Sequence, residues 1–208
     1  MKILISLILL TCVSCTHKSE NQCTYNYTVW NTVQKKSIKM EPIQTSMENL
    51  DPKFIDSFGC SICQEHQRDI VLKNGVAFKA CYIFADKIQK VLNQALNRGY
   101  PIKTVTAYRP SKSRGFPDKQ GNRTLFSNHS FGSAIDVNPE HNGLYNNCEQ
   151  WNSTCKLRIG GKWEPGVNPY SITAKSLLVR EMESIGLKWG GSIEGSMKDF
   201  MHFSKEGY

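Results

Sequence analysis

The sequence predicts an α+β domain, a small antiparallel sheet packed with helices, and three observations point there. Apolar residues recur at helical spacing in two stretches, within residues 77–98 and 171–186. Short alternating or apolar runs at 102–108, 134–138, 187–189 and 201–203 read as strands, set in mixed order with the helices and without internal repeat. The chain has 208 residues, of which 39% are hydrophobic, enough for one buried core. The longest N-terminal apolar run is far shorter than the eighteen residues that a membrane-spanning helix needs.

Each element follows from its residues. Phe84, Ile88, Val91, Leu92, Ala95 and Leu96 repeat at three- and four-residue steps, and Gly99 stands where a helix C-cap is expected. Val105 and Ala107 then alternate with Thr104, Thr106 and Tyr108 as a strand. Residues 114–123, polar with Gly and Pro, read as a loop. Ile135 and Val137 lie on the strand face opposite Ala134 and Asp136. Residues 142–168 read as an irregular, ornamented loop. Ser171 is placed to cap the second helix, whose apolar positions are Leu177, Leu178, Met182 and Ile185 before Gly186.

The first residues read as an export signal: Lys2, an apolar run from Ile3 to Leu10, then Thr11-Cys12-Val13-Ser14-Cys15. Ser14-Cys15 resembles a bacterial lipoprotein site, in which cleavage before the Cys is followed by its lipidation, although Cys12 departs from the usual Leu. Plain secretion is the other reading. Residues 1–14 are thus expected to be a signal peptide, the polar stretch 15–45 a lipoprotein-type tether, and 46–208 the working domain. The six remaining cysteines, Cys23, Cys60, Cys63, Cys81, Cys148 and Cys155, suit an oxidising compartment and up to three structural disulfides, in any of 15 pairings. A zinc knuckle at Cys60 and Cys63 lacks a second pair of like spacing.

The formal charge of +8 does not point to nucleic acid, because no stripe of basic and aromatic residues accompanies it. A diffuse positive field fits a protein kept near anionic polymers of a cell envelope.

Three segments carry candidate chemistry: Ser127 to Asp136, Asp199 to Phe203, and Tyr108-Arg109-Pro110. His129, Asp136 and His202 offer two imidazoles and a carboxylate, a set that binds zinc and leaves a fourth tetrahedral position open. Asp199, three residues before His202, can reach the same centre across a tight turn, and Arg109 stands at the end of a strand. His17, His66 and His141 have no such company and read as solvated side chains.

In this order the motifs resemble a known family. Ser-x-His-x6-Asp, then Trp189-Gly190-Gly191, then Asp-x-x-His-Phe is similar to the zinc D-Ala-D-Ala carboxypeptidases and L-alanyl-D-glutamate endopeptidases that trim peptidoglycan stem peptides. The likeness runs from about residue 70 to 207. It implies zinc (Zn2+) on His129, Asp136 and His202, Asp199 as general base, Arg109 as oxyanion or substrate clamp, and Ser127, Tyr108 and Trp189 at the substrate. Asp199 and Met201, where carboxypeptidases carry Glu and Trp, lie closer to the endolysin-like branch. The resemblance implies peptidoglycan peptides as partners; a monomer is expected, placed in the cell envelope by Cys15 as a lipid anchor, with no wall-binding domain after Tyr208. A zinc-retaining module without catalysis is the alternative.

Overall fold

The computed structural model describes residues 21–207; the expected signal peptide, residues 1–14, and Cys15 lie outside the described residues. The chain opens with four short strands, β1 (Gln22–Tyr25), β2 (Thr28–Asn31), β3 (Lys36–Lys39) and β4 (Ile43–Ser46). This corrects the expectation of a tether as far as residue 45. The segment is polar overall, but Cys23, Tyr25, Val29 and Asn31 alternate inward and bury at period two. Cys23 is also bonded to Cys63, so the strands are fastened to the domain.

Next come β5 (Gln67–Val71) and β6 (Ala77–Cys81), a hairpin where the helix was expected to begin. The helix α1 follows at Tyr82–Asn97, burying Phe84, Ala85, Ile88, Val91, Leu92 and Ala95. It stops at Gly99, where φ is +82° and the amide of Tyr100 donates to the Ala95 carbonyl at 3.0 Å. The strand expected over 102–108 is only β7 (Val105–Thr106). The loop expected at 114–123 belongs to a hairpin, β8 (Ser111–Pro117) with β9 (Arg123–Phe126), whose polar sequence reflects two solvated faces.

β10 (Ile135–Val137) is buried throughout. The ornamented segment 142–168 contains β11 (Leu144–Asn146) and β12 (Lys156–Ile159), linked by the Cys148–Cys155 loop. Helix α2 is Leu177–Ser184, capped at Ser176 rather than Ser171. β13 (Lys188–Trp189), β14 (Met197–Asp199) and β15 (His202–Ser204) end the described chain.

The fold is α+β, but its strands form five small sheets rather than one. The central sheet runs β13-β15-β10-β7. It is flanked by β3-β2-β8-β9, which includes a parallel β2–β8 pair, and by β12-β11-β14. The expected disulfides form as Cys23–Cys63, Cys60–Cys81 and Cys148–Cys155.

Two buried asparagines hold the loops around the central sheet. Asn138, at φ +47°, accepts from the Lys103 amide at 2.7 Å and donates to the Pro101 carbonyl at 2.8 Å. Asn142 donates to the Tyr170 carbonyl and accepts from the Ile172 amide. His141, expected in solvent, is half-buried and stacks on Tyr170 with centroids 4.5 Å apart.

The Cys23–Cys63 bond closes a sequence separation of 40 residues, so opening it should cost about 4 kcal/mol by loop entropy. The double variant Cys23→Ser, Cys63→Ser should show that loss in urea titration, together with early proteolysis before residue 46. Unchanged stability would mean that β1–β4 hold by strand pairing alone.

Candidate metal centre

The centre is built by strand register. In the antiparallel β10–β15 pair, Asp136 stands directly opposite His202, and directly opposed side chains project from the same face. His129 arrives from a 3-10 turn, Asn128–Phe131, which ends at Gly132. Gly132 has φ +68°, and a Cβ there would lie 2.7 Å from the Cys81 amide nitrogen, so no other residue fits without backbone movement. The Arg109 amide donates to the His129 carbonyl at 2.8 Å, tying this turn to the strand before it.

Three donor atoms close a triangle. His129 Nε2 lies 3.2 Å from His202 Nδ1 and 3.2 Å from Asp136 Oδ1, and His202 Nδ1 lies 2.9 Å from the same oxygen. Donors about 2.0–2.2 Å from a tetrahedral zinc stand roughly 3.4 Å apart, so the triangle needs only slight expansion to hold one. His129 Nδ1 lies 2.9 Å from the Ala107 carbonyl. Donation to that oxygen places the ring proton on Nδ1 and leaves Nε2 free to ligate. All three side chains are buried.

The electrostatics fit a bound cation. Burial opposes ionisation of Asp136, but the adjacent His129 and His202 outweigh it and hold the carboxyl well below its usual range. Burial also opposes charge on His129, where Asp136 prevails and raises its pKa; on His202 burial prevails and lowers it.

Asp199 ends β14 and lines the same cleft, half-buried, with Oδ1 lacking a hydrogen-bond partner. Desolvation, then the charge of Asp136, pushes its carboxyl up to about 8. Its position depends on the Trp-Gly-Gly segment. The Asp199 amide donates to the Gly190 carbonyl at 3.0 Å, and the Gly190 amide donates to the His202 carbonyl at 2.8 Å. A Cβ on Gly190 would lie 2.4 Å from the Asp199 carbonyl oxygen. Phe200, between base candidate and ligand, lies 3.8 Å from the Trp163 ring, stacked at 4°. Trp151, carried by the Cys148–Cys155 loop, meets Tyr145, Trp163 and Phe200 edge-on.

The cleft encloses about 890 Å³ and brings together His129, Asp136, His202, Asp199, Arg109 and Ser127. Arg109 is exposed on its wall, and Ser127 Oγ lies 3.4 Å from Ser130 Oγ. Tyr108 and Trp189, expected at the substrate, do not line this cleft. The Tyr108 hydroxyl donates to the Ile62 carbonyl at 2.7 Å, and Trp189 Nε1 donates to the Phe200 carbonyl at 2.8 Å from the core. Each spends its polar atom on the main chain, so both act as supports. The sequence reading missed Lys39, Arg114, Arg123 and Arg158, which also line the cleft. They occupy polar stretches with no local signal, and only non-local strand pairing gathers them.

Residues 120–205 match the family model described as D-alanyl-D-alanine carboxypeptidase, which supports the resemblance drawn from the motifs. The matched segment contains the three candidate ligands and Asp199, but neither Arg109 nor β1–β4. No curated protein and no solved structure matches the chain.

A carboxyl raised to about 8 in the fold and near 3.9 when unfolded keeps its proton in the native state only. Stability of the metal-free protein should therefore fall as pH rises from about 4 to about 8. Asp199→Asn removes that component, so its melting temperature in chelator should overtake that of the unsubstituted protein as pH approaches 8. Parallel melting curves across this range would show that Asp199 is ionised throughout.

Proposed function

We propose that the protein is an exported zinc peptidase that cleaves peptidoglycan stem peptides. One observation carries the reading: a buried triangle of two imidazoles and one carboxylate lies in the same cleft as a second carboxylate, Asp199, whose Oδ1 has no hydrogen-bond partner among the described residues. Three ligands fit a catalytic zinc, which keeps an open position, rather than a closed structural site. A zinc ion bound there would supply a water of lowered pKa and polarise the carbonyl to be attacked.

The chain's own groups do the rest. Asp199 takes a proton from the attacking water and delivers it to the departing amine as the C–N bond breaks and the new C–O bond forms. Its raised pKa suits the second half of that cycle, and a nearby dication would lower it for the first. Arg109 sets a permanent positive charge on the cleft wall for the carbonyl oxygen or a substrate carboxylate. Ser127 offers a hydroxyl that orients the peptide. Asp199 and Met201 favour the L-Ala-D-Glu bond over the D-Ala-D-Ala terminus.

Three disulfides in one chain support an oxidising, exported location. Lipidation at Cys15 would hold the enzyme at the membrane that the wall surrounds.

Stem peptides incubated with the zinc-loaded protein should lose a terminal D-Ala or release an L-Ala-ended fragment by mass spectrometry, and a chelator should abolish either product. Arg109→Ala should reduce turnover about a hundredfold to a thousandfold, and Asp199→Ala should retain zinc while losing activity. Zinc bound without cleavage of either bond would put the non-catalytic binding module in its place. Cys15→Ser should move the protein from the membrane to the soluble fraction.

A further inference from the structure

The strands β2 and β3 lie outside the family match, yet they wall the cleft. Their turn is anchored to the β8–β9 hairpin: Asn31 Nδ2 donates to the Gln120 carbonyl at 2.8 Å and to Asn122 Oδ1 at 2.9 Å. The Thr32 amide donates to the Gly121 carbonyl at 2.8 Å. From this wall Lys39 and Trp30 border the cleft, and from the β11–β12 hairpin, which belongs to a different sheet, Arg158 and Ile159 do the same. Wall and centre are therefore fixed together before any ligand arrives.

The charge inside is one-sided. Lys39, Arg109, Arg114, Arg123 and Arg158 line the cleft, and its carboxylates are Asp136 and Asp199. Asp136 is already engaged by both imidazoles. Among the described residues, Lys39, Arg109 and Arg158 form no ion pair. Cations gathered along a concave wall focus a positive potential there, and a metal in the triad would add to it. A single terminal carboxylate would leave most of that charge unanswered. The volume, about 890 Å³, is near the upper end of the roughly 300–1,000 Å³ of small-molecule sites and accommodates several residues of extended peptide.

We propose that the cleft selects a peptide bearing two or more free carboxylates, laid across the reaction centre with Lys39 of β3 and Arg158 of β12 facing acidic groups on opposite sides of the cleaved bond. The assignment of sides rests on the peptidase reading; the preference for a multiply anionic peptide does not. Lys39 and Arg158 are then specificity residues, contributed by segments outside and inside the family match respectively.

The test is a binding measurement. A fluorescent stem peptide containing L-Ala-D-Glu, with its carboxylates free, is compared with the same peptide amidated at its side carboxylates. Both are titrated into the full zinc-loaded chain carrying Asp199→Asn to block turnover. The acidic peptide should bind at least about tenfold more tightly at low salt, and the gap should close as ionic strength rises. Adding Lys39→Gln or Arg158→Gln should weaken the acidic peptide about three- to tenfold and shrink the preference, with the circular dichroism spectrum unchanged. Equal affinity for the two peptides overturns the proposal, as does a preference that survives both substitutions in a folded protein. Preferential binding alongside no cleavage by the zinc-loaded protein with Asp199 intact would instead remove the peptidase reading and leave the cationic, anion-selecting cleft standing.

Discussion

A carboxylate removed from water must be compensated by its neighbours, and Asp136 sets that demand at the middle of this molecule. It lies on the central strand of the central sheet, where β10 is flanked by β7 and β15, and its oxygen is held by two imidazoles at 2.9 and 3.2 Å. Leaving such a charge without partners costs several kcal/mol, so the register of β10 on β15 and the approach of the His129 turn are constrained together. A slip of one residue along β15 would send His202 to the opposite face and strand the carboxylate. The same arrangement that satisfies the charge makes a cation site.

The structure around the centre reads as a set of supports for it. Gly132 lets the His129 turn pass against β6, and Gly190 lets the Asp199 turn pass against β13. The stacked rings of Trp163 and Phe200 fix the residue between Asp199 and the last ligand. Trp151 gives the Cys148–Cys155 loop a purpose that composition does not reveal: it closes the aromatic cluster under Phe200. None of these groups needs to touch a substrate to matter, since a shift of the Asp199 carboxyl by an ångström alters proton transfer directly.

The sequence made visible what is local. The α1 pattern, its glycine stop, the β10 strand and the spacing from Ser127 to Asp136 and from Asp199 to Phe203 all depend on neighbours within a few residues. The family match covers β10 and these two motifs but not α1 or its glycine stop. What stayed hidden depends on distant pairing. β1 to β4 are polar enough to look like a tether, because only alternate residues of β1 and β2 meet the core and no residue of β3 or β4 is buried. Asn138 and Asn142 look like loop residues until the carbonyls and amides they satisfy are folded around them. Tyr108 and Trp189 stand inside the motifs but do not line the cleft, because a motif does not say which way a side chain points. The cations of the cleft come from five separate strands or loops and share nothing in sequence but charge.

The order of the cysteines carries one more consequence. Cys23 joins Cys63 and Cys60 joins Cys81, so the two bonds interleave along the chain. A polypeptide crossing a membrane from its N-terminus presents Cys23 and Cys60 before their partners, and an oxidant that joins thiols as they appear links this unpaired couple first. The native pattern is then reached by thiolate attack on a bond already made. Where that happens, maturation depends on disulfide exchange as well as on oxidation.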